Sequence, residues 1–262
     1  FEKNQLSLPA GYASRPVPEY FEDSVTQETG IIWQPEVYPY AGWLAKELGC
    51  QRIIDVGCGR AGKLSQMHPA FAITGLDFGS NLEFCRKQYP QGQWREIDFD
   101  QATDWQLPVT ELSSAVMICA DVIEHLRDPR PLLSNLLSCL QHAPAAIIST
   151  PERELTRGVR HAGPPDNPAH TREWSLSELV ALLRHEGFTV DYAGLTPSND
   201  REPERKTILC VVSSAANPTA KAWLENHPQH ETVFAPFIYR AALREKNGDY
   251  SACTLGENPM PA

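Results

Sequence analysis

The sequence predicts an α/β protein: a Rossmann-like, seven-stranded, mostly parallel sheet with an antiparallel edge pair and helices on both faces. Three observations carry this. Short apolar, β-branched runs alternate with amphipathic segments from Arg52 to Glu186. The first run leads straight into a glycine-rich turn, Gly57-Cys58-Gly59-Arg60-Ala61-Gly62. The last two runs follow one another with no helix between them, as antiparallel neighbours can.

The elements follow in order. Pro35–Gly49 reads as an amphipathic helix, with Val37, Tyr40, Trp43, Leu44 and Leu48 on one face and Gly49 as its stop. Arg52–Val56 is the first strand, and a short helix is expected over Lys63–His68. Phe71–Leu76 is a strand closed by Asp77, Asn81–Tyr89 a helix, and Gln93–Ile97 a strand closed by Asp98. A loop with Trp105 leads to a strand at Ala115–Cys119, a helix at Pro131–Gln141 and a strand at Ala145–Ser149. Thr150–Thr171 is a long Pro-rich loop. Ser175–Glu186 opens with the capping-box pair Ser175 and Glu178, and Phe188–Tyr192 and Thr207–Val212 form the edge pair. Ala220–Asn226 and Val233–Lys246 have helical patterns. The expected organisation is an N-terminal lid and helix over 1–49, a cofactor-binding domain over 50–213 and a C-terminal appendage over 214–262. Tyr20, Phe21, Ile31, Ile32 and Trp33 make the lid too apolar for a solvated tail.

Composition sets bounds. Of 262 residues, 42% are hydrophobic, enough for one sizeable core, and the net charge is −10. So acidic a chain is a poor polyanion binder, which speaks against DNA, RNA and anionic membranes as main partners. No apolar run approaches the ~20 residues of a membrane span. Seven cysteines with no Cys-x-x-Cys pair imply a reducing, cytoplasmic setting without disulfides or a zinc knuckle. The first residue is Phe1, which leaves room for neighbouring domains of a longer polypeptide.

The glycine turn sits between a strand and a helix, where backbone N–H groups can face a nucleotide-like cofactor. Asp77 ends the next strand, where a carboxylate can accept from both ribose hydroxyls. Two chemistries compete: a nicotinamide-dependent dehydrogenase, and a methyltransferase using S-adenosylmethionine. Asp55, two residues before Gly57, favours the second. An acid there suits the aminopropyl end of a cationic sulfonium and would repel a pyrophosphate. Asp98 can accept from an adenine amino group, with Phe99 beside the ring.

Taken together, Ile53-Ile54-Asp55-Val56-Gly57-Cys58-Gly59, Gly75-Leu76-Asp77, Asp98-Phe99 and Cys119-Ala120-Asp121-Val122-Ile123-Glu124-His125-Leu126 resemble the successive motifs of class I S-adenosylmethionine-dependent methyltransferases. The resemblance spans about 52–213. It implies that Gly57 and Gly59, with Cys58 between them, hold the methionine moiety. Asp77 and Phe78 would hold the ribose and Asp98 and Phe99 the adenine, with Ala120 near the sulfonium. Ala61 departs from the pattern, since many members have glycine there.

Asp121-Val-Ile-Glu124-His125 has two readings. Asp121 and Glu124 have the spacing of a helix capping box. His125 is placed to take the acceptor's proton as general base, and Glu124 to orient the acceptor. The loop 150–171 adds Arg153, Arg160, His170 and, just past it, Arg172 as acceptor contacts. Asn167-Pro-Ala-His170-Thr-Arg172-Glu173-Trp174 resembles a segment of methyltransferases of bacterial glycan and polysaccharide biosynthesis. That resemblance implies a sugar or glycan-precursor hydroxyl as acceptor, with the arginines receiving a phosphate or nucleotide group and no metal required. A second resemblance points elsewhere. Small-RNA 3′-terminal 2′-O-methyltransferases pair a Glu-x-x-Glu-His segment with a later His-x-x-Glu-Trp, and bind a divalent metal there. This chain has Asp121-x-x-Glu124-His125 and His170-x-x-Glu173-Trp174. The first position is Asp, and the charge is wrong for RNA, so a metal is the secondary expectation.

Overall fold

The computed structural model describes residues 6–18, 30–101, 104–201 and 204–227. Tyr20, Phe21 and the helix expected at Val233–Lys246 lie outside them. Seven strands form one sheet in the order β3-β2-β1-β4-β5-β7-β6. They are β1 (Arg52–Val56), β2 (Ala72–Asp77), β3 (Gln93–Glu96), β4 (Ala115–Ala120), β5 (Ala145–Pro151), β6 (Thr189–Pro197) and β7 (Arg205–Ser213). Pairings among β1–β5 are parallel, and β7 is antiparallel to both β5 and β6. The fold class is therefore the expected one. The strand order reverses between β1 and β4, which puts a crevice at their carboxyl ends.

The helices are α1 (Val37–Glu47), α2 (Gly62–Ser65), α3 (Ser80–Gln88), α4 (Val109–Leu112), α5 (Arg130–Cys139), α6 (Arg153–Arg157), α7 (Leu176–His185) and α8 (Thr219–Asn226). Alternate strand residues face opposite ways, so each strand serves two cores. Ile54, Met117, Cys119 and Ile148 pack with Leu132, Leu136, Leu179 and Leu183 of α5 and α7. Ile53, Val116, Ile118 and Ile147 pack on the other face with Tyr40 and Leu44 of α1, Leu82 of α3 and Leu224 of α8.

The differences from expectation have local causes. The helix expected at Lys63–His68 is only Gly62–Ser65, because residues 66–70 turn toward β2. Asp98 lies two residues beyond β3 instead of closing it. The strand expected at Phe188–Tyr192 runs on to Pro197, carried by pairing with β7 across a bulge near Asp191. The expected long loop contains α6, started by Glu152, whose carboxylate accepts from Leu155 N at 2.6 Å. Its other oxygen accepts from Leu176 N at 3.0 Å, so one side chain caps two helices. The capping box of α7 is present. Six cysteines are described and all are buried thiols.

α1 begins beside Glu36, a carboxylic acid only 1% exposed, which accepts from Thr196 Oγ1. Burial raises its pKa from 4.5 to about 7. A raised acid stabilises the fold fully below its unfolded pKa, and that contribution is lost as pH rises through the folded one. Glu36→Gln is therefore expected to change stability little at pH 5 and to add about 2–3 kcal/mol at pH 8. Urea denaturation at the two pH values measures this.

Candidate active site

The site is built from the carboxyl ends of β1, β2 and β4. Gly57 has φ +78° and Gly59 φ +53°, left-handed values that the turn needs. Ala61 is also left-handed, φ +54°, at the position where the resemblance predicts glycine. Its methyl is buried beneath α2, which offsets the strain. Gly57 and Cys58 donate to Leu76 O at 2.8 and 3.1 Å, tying the turn to β2. A Cβ on Gly57 would stand 2.4 Å from Val122 Cγ2, so the turn closes against the segment that follows β4.

The carboxylates are arranged round this turn. Asp55 is wholly buried and accepts from Tyr38 Oη at 2.7 Å. Asp77 accepts from Gly59 N at 2.7 Å and Phe78 N at 2.8 Å, which orients it beside the turn. Asp98 is exposed and accepts from Asp100 N at 3.1 Å. Phe99 is buried edge-to-face against Trp105, 5.9 Å between centroids, so its ring is a wall and not an exposed stacking surface. Cys58 packs under the turn with Cys85, and that neighbour, then burial, raises its thiol pKa. Ala120 ends β4 at the crevice.

After Ala120 the chain does not form the helix that a capping box would start. Asp121 has φ +53°, and residues 121–126 are turns. The carbonyls of this segment take donors from the long loop instead. Thr171 N donates to Glu124 O at 2.6 Å and Thr171 Oγ1 to His125 O at 3.1 Å. The Arg172 guanidinium donates to Leu126 O at 3.0 Å and Arg127 O at 2.6 Å.

This docking carries His170 to Glu124 and His125. One ligand atom from each lies within 4.8 Å of the other two. The imidazoles stand edge-to-face with centroids 4.8 Å apart. His125 Nδ1 contacts Ala169 O at 3.0 Å, and His170 Nδ1 contacts Glu173 Oε1 at 2.6 Å. With those nitrogens as donors, both Nε2 atoms carry the lone pairs. The His170 lone pair accepts from Asn167 Nδ2 at 3.0 Å. Glu173 is fixed in turn by Arg157 at 2.7 Å. Neither Glu124 carboxylate oxygen has a hydrogen bond of ordinary geometry, although the residue is fully buried. Burial, then the neighbouring Asp121, raises the Glu124 pKa well above the carboxylate range. Burial, and then His170, pushes His125 down to about 4. The residue expected as general base is thus neutral at pH 7 but a weak base. Two imidazoles held by a carboxylate and a carbonyl, beside a buried carboxylate, have the form of a divalent-metal site.

Other expectations fare unevenly. Arg153 and Arg172 were expected to meet the acceptor, and their geometry contradicts that. Arg153 is 2% exposed, paired with Glu178 at 2.6 Å and donating to His161 O at 2.7 Å. Arg172 is consumed by the two carbonyls. Both hold the loop in place. Arg160 is exposed on the loop, the one arginine of the three expected contacts still facing solvent. Sequence reasoning passed over Gln34, which joins the site from the N-terminal side. Its amide donates to Asp121 Oδ1, and Ser149 Oγ donates to its carbonyl. No sequence signal marks it. Tyr38 and Lys63 were also missed, though Lys63 directly follows the glycine turn.

The fold and this turn define a Rossmann-like α/β protein with a glycine-rich cradle at the switch point of its sheet. Within that class, the methyltransferase domain family model matches residues 20–193, and the chain belongs to that family. A probable S-adenosylmethionine-dependent methyltransferase of Mycolicibacterium smegmatis is 30% identical over 150 residues, 56% of each chain. An O-methyltransferase of Pyrenophora dematioidea is 30% identical over 152 residues, 53% of this chain and 55% of that one. The chain thus spans about half the length of the curated relatives it matches. Among solved structures, the methyltransferase domain of bacterial CtHen1-C is similar over 69% of this chain and 97% of that one, with 20% identity and a TM-score of 0.47.

Gly57→Ala tests the turn. It places a Cβ on Val122 at a left-handed position and is expected to cost about 2–4 kcal/mol of stability. Thermal and urea denaturation read it, and an effect below 0.5 kcal/mol would contradict the close approach.

Proposed function

We propose that the protein transfers a methyl group from S-adenosylmethionine to a hydroxyl oxygen of a small acceptor. A sugar or glycan precursor is the acceptor class we favour. The observation that carries the reading is the set of carboxylates, Asp55, Asp77 and Asp98, after or within successive parallel strands round a Gly57–Gly59 turn. Family membership and the names of the relatives support the same chemistry. Methyl transfer is a one-step displacement: the acceptor oxygen attacks the methyl carbon, the sulfonium leaves as a thioether, and the hydroxyl proton departs. No covalent enzyme intermediate is needed, so positioning and exclusion of water do most of the work. Arg160, exposed at the loop, is the cation that suits a phosphate on such an acceptor.

One observation, the convergence of Glu124, His125 and His170, favours a second version of this reading, in which they hold a divalent cation that displaces Asn167 from the His170 Nε2 lone pair. A bound cation would lower the pKa of an acceptor hydroxyl and fix its direction. Glu173 and the Ala169 carbonyl then serve to orient the imidazoles. This version also explains why His125 is too weak a base to act alone. The −10 charge weighs against RNA as the acceptor, despite the resemblance of Asp121-x-x-Glu124-His125 and His170-x-x-Glu173-Trp174 to small-RNA methyltransferases. A dehydrogenase has neither the family nor, among the described residues, a second nucleotide-binding half on its side.

Calorimetry with S-adenosylhomocysteine is expected to show binding, weakened about 10-fold or more by Asp77→Ala, which removes charged acceptors of the ribose hydroxyls. Absence of binding by the wild-type protein would sink the cofactor reading. Manganese binding, followed by electron paramagnetic resonance, is expected for the wild type and lost in Glu124→Gln and His170→Ala. Equal manganese binding by all three would remove the metal version and leave the cofactor reading standing.

A further inference from the structure

We propose that Lys63 binds the α-carboxylate of the cofactor's amino-acid end, and that through it the arm over the site senses that end. The inference rests on the S-adenosylmethionine reading above. Lys63 stands in the first turn after the glycine turn. Its Nζ donates to Trp33 O at 2.8 Å and lies 4.7 Å from the centroid of the Tyr38 ring. It makes no ion pair with any described residue. Tyr38 reaches the other way, its hydroxyl donating to the buried Asp55 at 2.7 Å. A cation and an anion thus flank one phenol ring at the mouth of the cofactor turn.

That arrangement matches an α-amino acid, which carries an ammonium and a carboxylate on one carbon. Asp55 suits the ammonium, and Lys63 is the complementary charge. The neighbouring Arg60 is engaged over the ring of Phe84 on α3, 5.1 Å from its centroid. A lysine ammonium has three donors, and the Trp33 carbonyl uses one. A carboxylate can therefore be added without displacing the arm, and the new bond is charge-assisted. The aromatic face and the carbonyl also hold the ammonium in place beforehand, so little side-chain freedom is lost on binding.

The Trp33 carbonyl makes the consequence wider than affinity. Trp33 bridges to Asn199, and Gln34 N donates to Ser198 O at 2.8 Å. The Gln34 side chain engages Asp121 and Ser149 beside the reacting centre. A carboxylate on Lys63 thus tightens the arm that contributes Gln34 to the site. A nucleoside lacking the amino acid leaves it unchanged.

The test compares S-adenosylhomocysteine with 5′-methylthioadenosine, which keeps the nucleoside and thioether and lacks the amino acid. Calorimetry on Lys63→Met is expected to show about 10-fold or more weaker S-adenosylhomocysteine binding, with 5′-methylthioadenosine within 2-fold of wild type. Lys63→Arg should recover part of the loss. Hydrogen exchange of residues 30–36 should slow with S-adenosylhomocysteine more than with 5′-methylthioadenosine, and Lys63→Met should erase that difference. Equal weakening of both ligands, or no weakening of either, overturns the proposal. Failure of the wild type to bind S-adenosylhomocysteine overturns the cofactor reading itself, and this proposal with it.

Discussion

The site depends on how the carbonyls after β4 find their donors. Residues 121–126 leave the sheet without entering a helix; His125 N donates to Val122 O at 3.1 Å, but the carbonyls of residues 124–127 take their donors from outside the segment. Residues 171–172 supply them, two from Thr171 and two from the Arg172 guanidinium. This bonding sets the register of the whole long loop. It places His170 opposite Glu124 and His125, and it puts Glu173 and Trp174 where the N-terminal strap can grip them. Tyr12 Oη accepts from Glu173 N at 2.9 Å, and Trp174 Nε1 donates to Leu6 O at 2.9 Å. The candidate site is thus bordered by three segments distant in sequence, joined largely through backbone groups.

That also explains what the sequence made legible. The central strands were readable because they are buried on both faces and must be continuously apolar, as in Ala115–Cys119, whereas the edge strands β3 and β6 are only partly buried. The positions of Asp55 and Asp77 beside the glycine turn were readable because strand ends have fixed positions in a parallel sheet. Boundaries slipped where tertiary pairing decides them, as in β6, which follows β7 well past its own apolar run. α6 was hidden because five residues of Arg-Glu-Leu-Thr-Arg carry no period, and only the Glu152 cap defines its start.

The arginines were misread for a physical reason. Arg153 and Arg172 lie in a polar, Pro-rich stretch, the usual place for acceptor contacts. A guanidinium offers five donors, and it serves equally well to satisfy carbonyls inside a protein. Sequence cannot separate the two uses, since both need the same side chain in the same loop. Burial separates them: the side chain of Arg153 is 2% exposed against a paired Glu178. Gln34 is the opposite case. A single amide in an otherwise unpatterned segment reaches Asp121 and Ser149 only because the arm crosses the sheet's carboxyl edge.

His125 shows how burial redirects chemistry. An exposed histidine beside an acceptor hydroxyl would be a competent base near neutral pH. Here the ring is desolvated, and a second imidazole stands against it, so protonation costs more than in water. The same two features make the neutral ring a good donor to a cation. Its Nδ1 is already committed to the Ala169 carbonyl, which leaves Nε2 as the electron-pair donor. The nearby Glu124 points the same way: its burial disfavours a lone negative charge, and a divalent ion would relieve that cost. Under the proposed metal version, the desolvation that weakens His125 as a base would favour sharing the acceptor's charge with a cation. The fold supplies that desolvation by docking the loop onto the turn after β4.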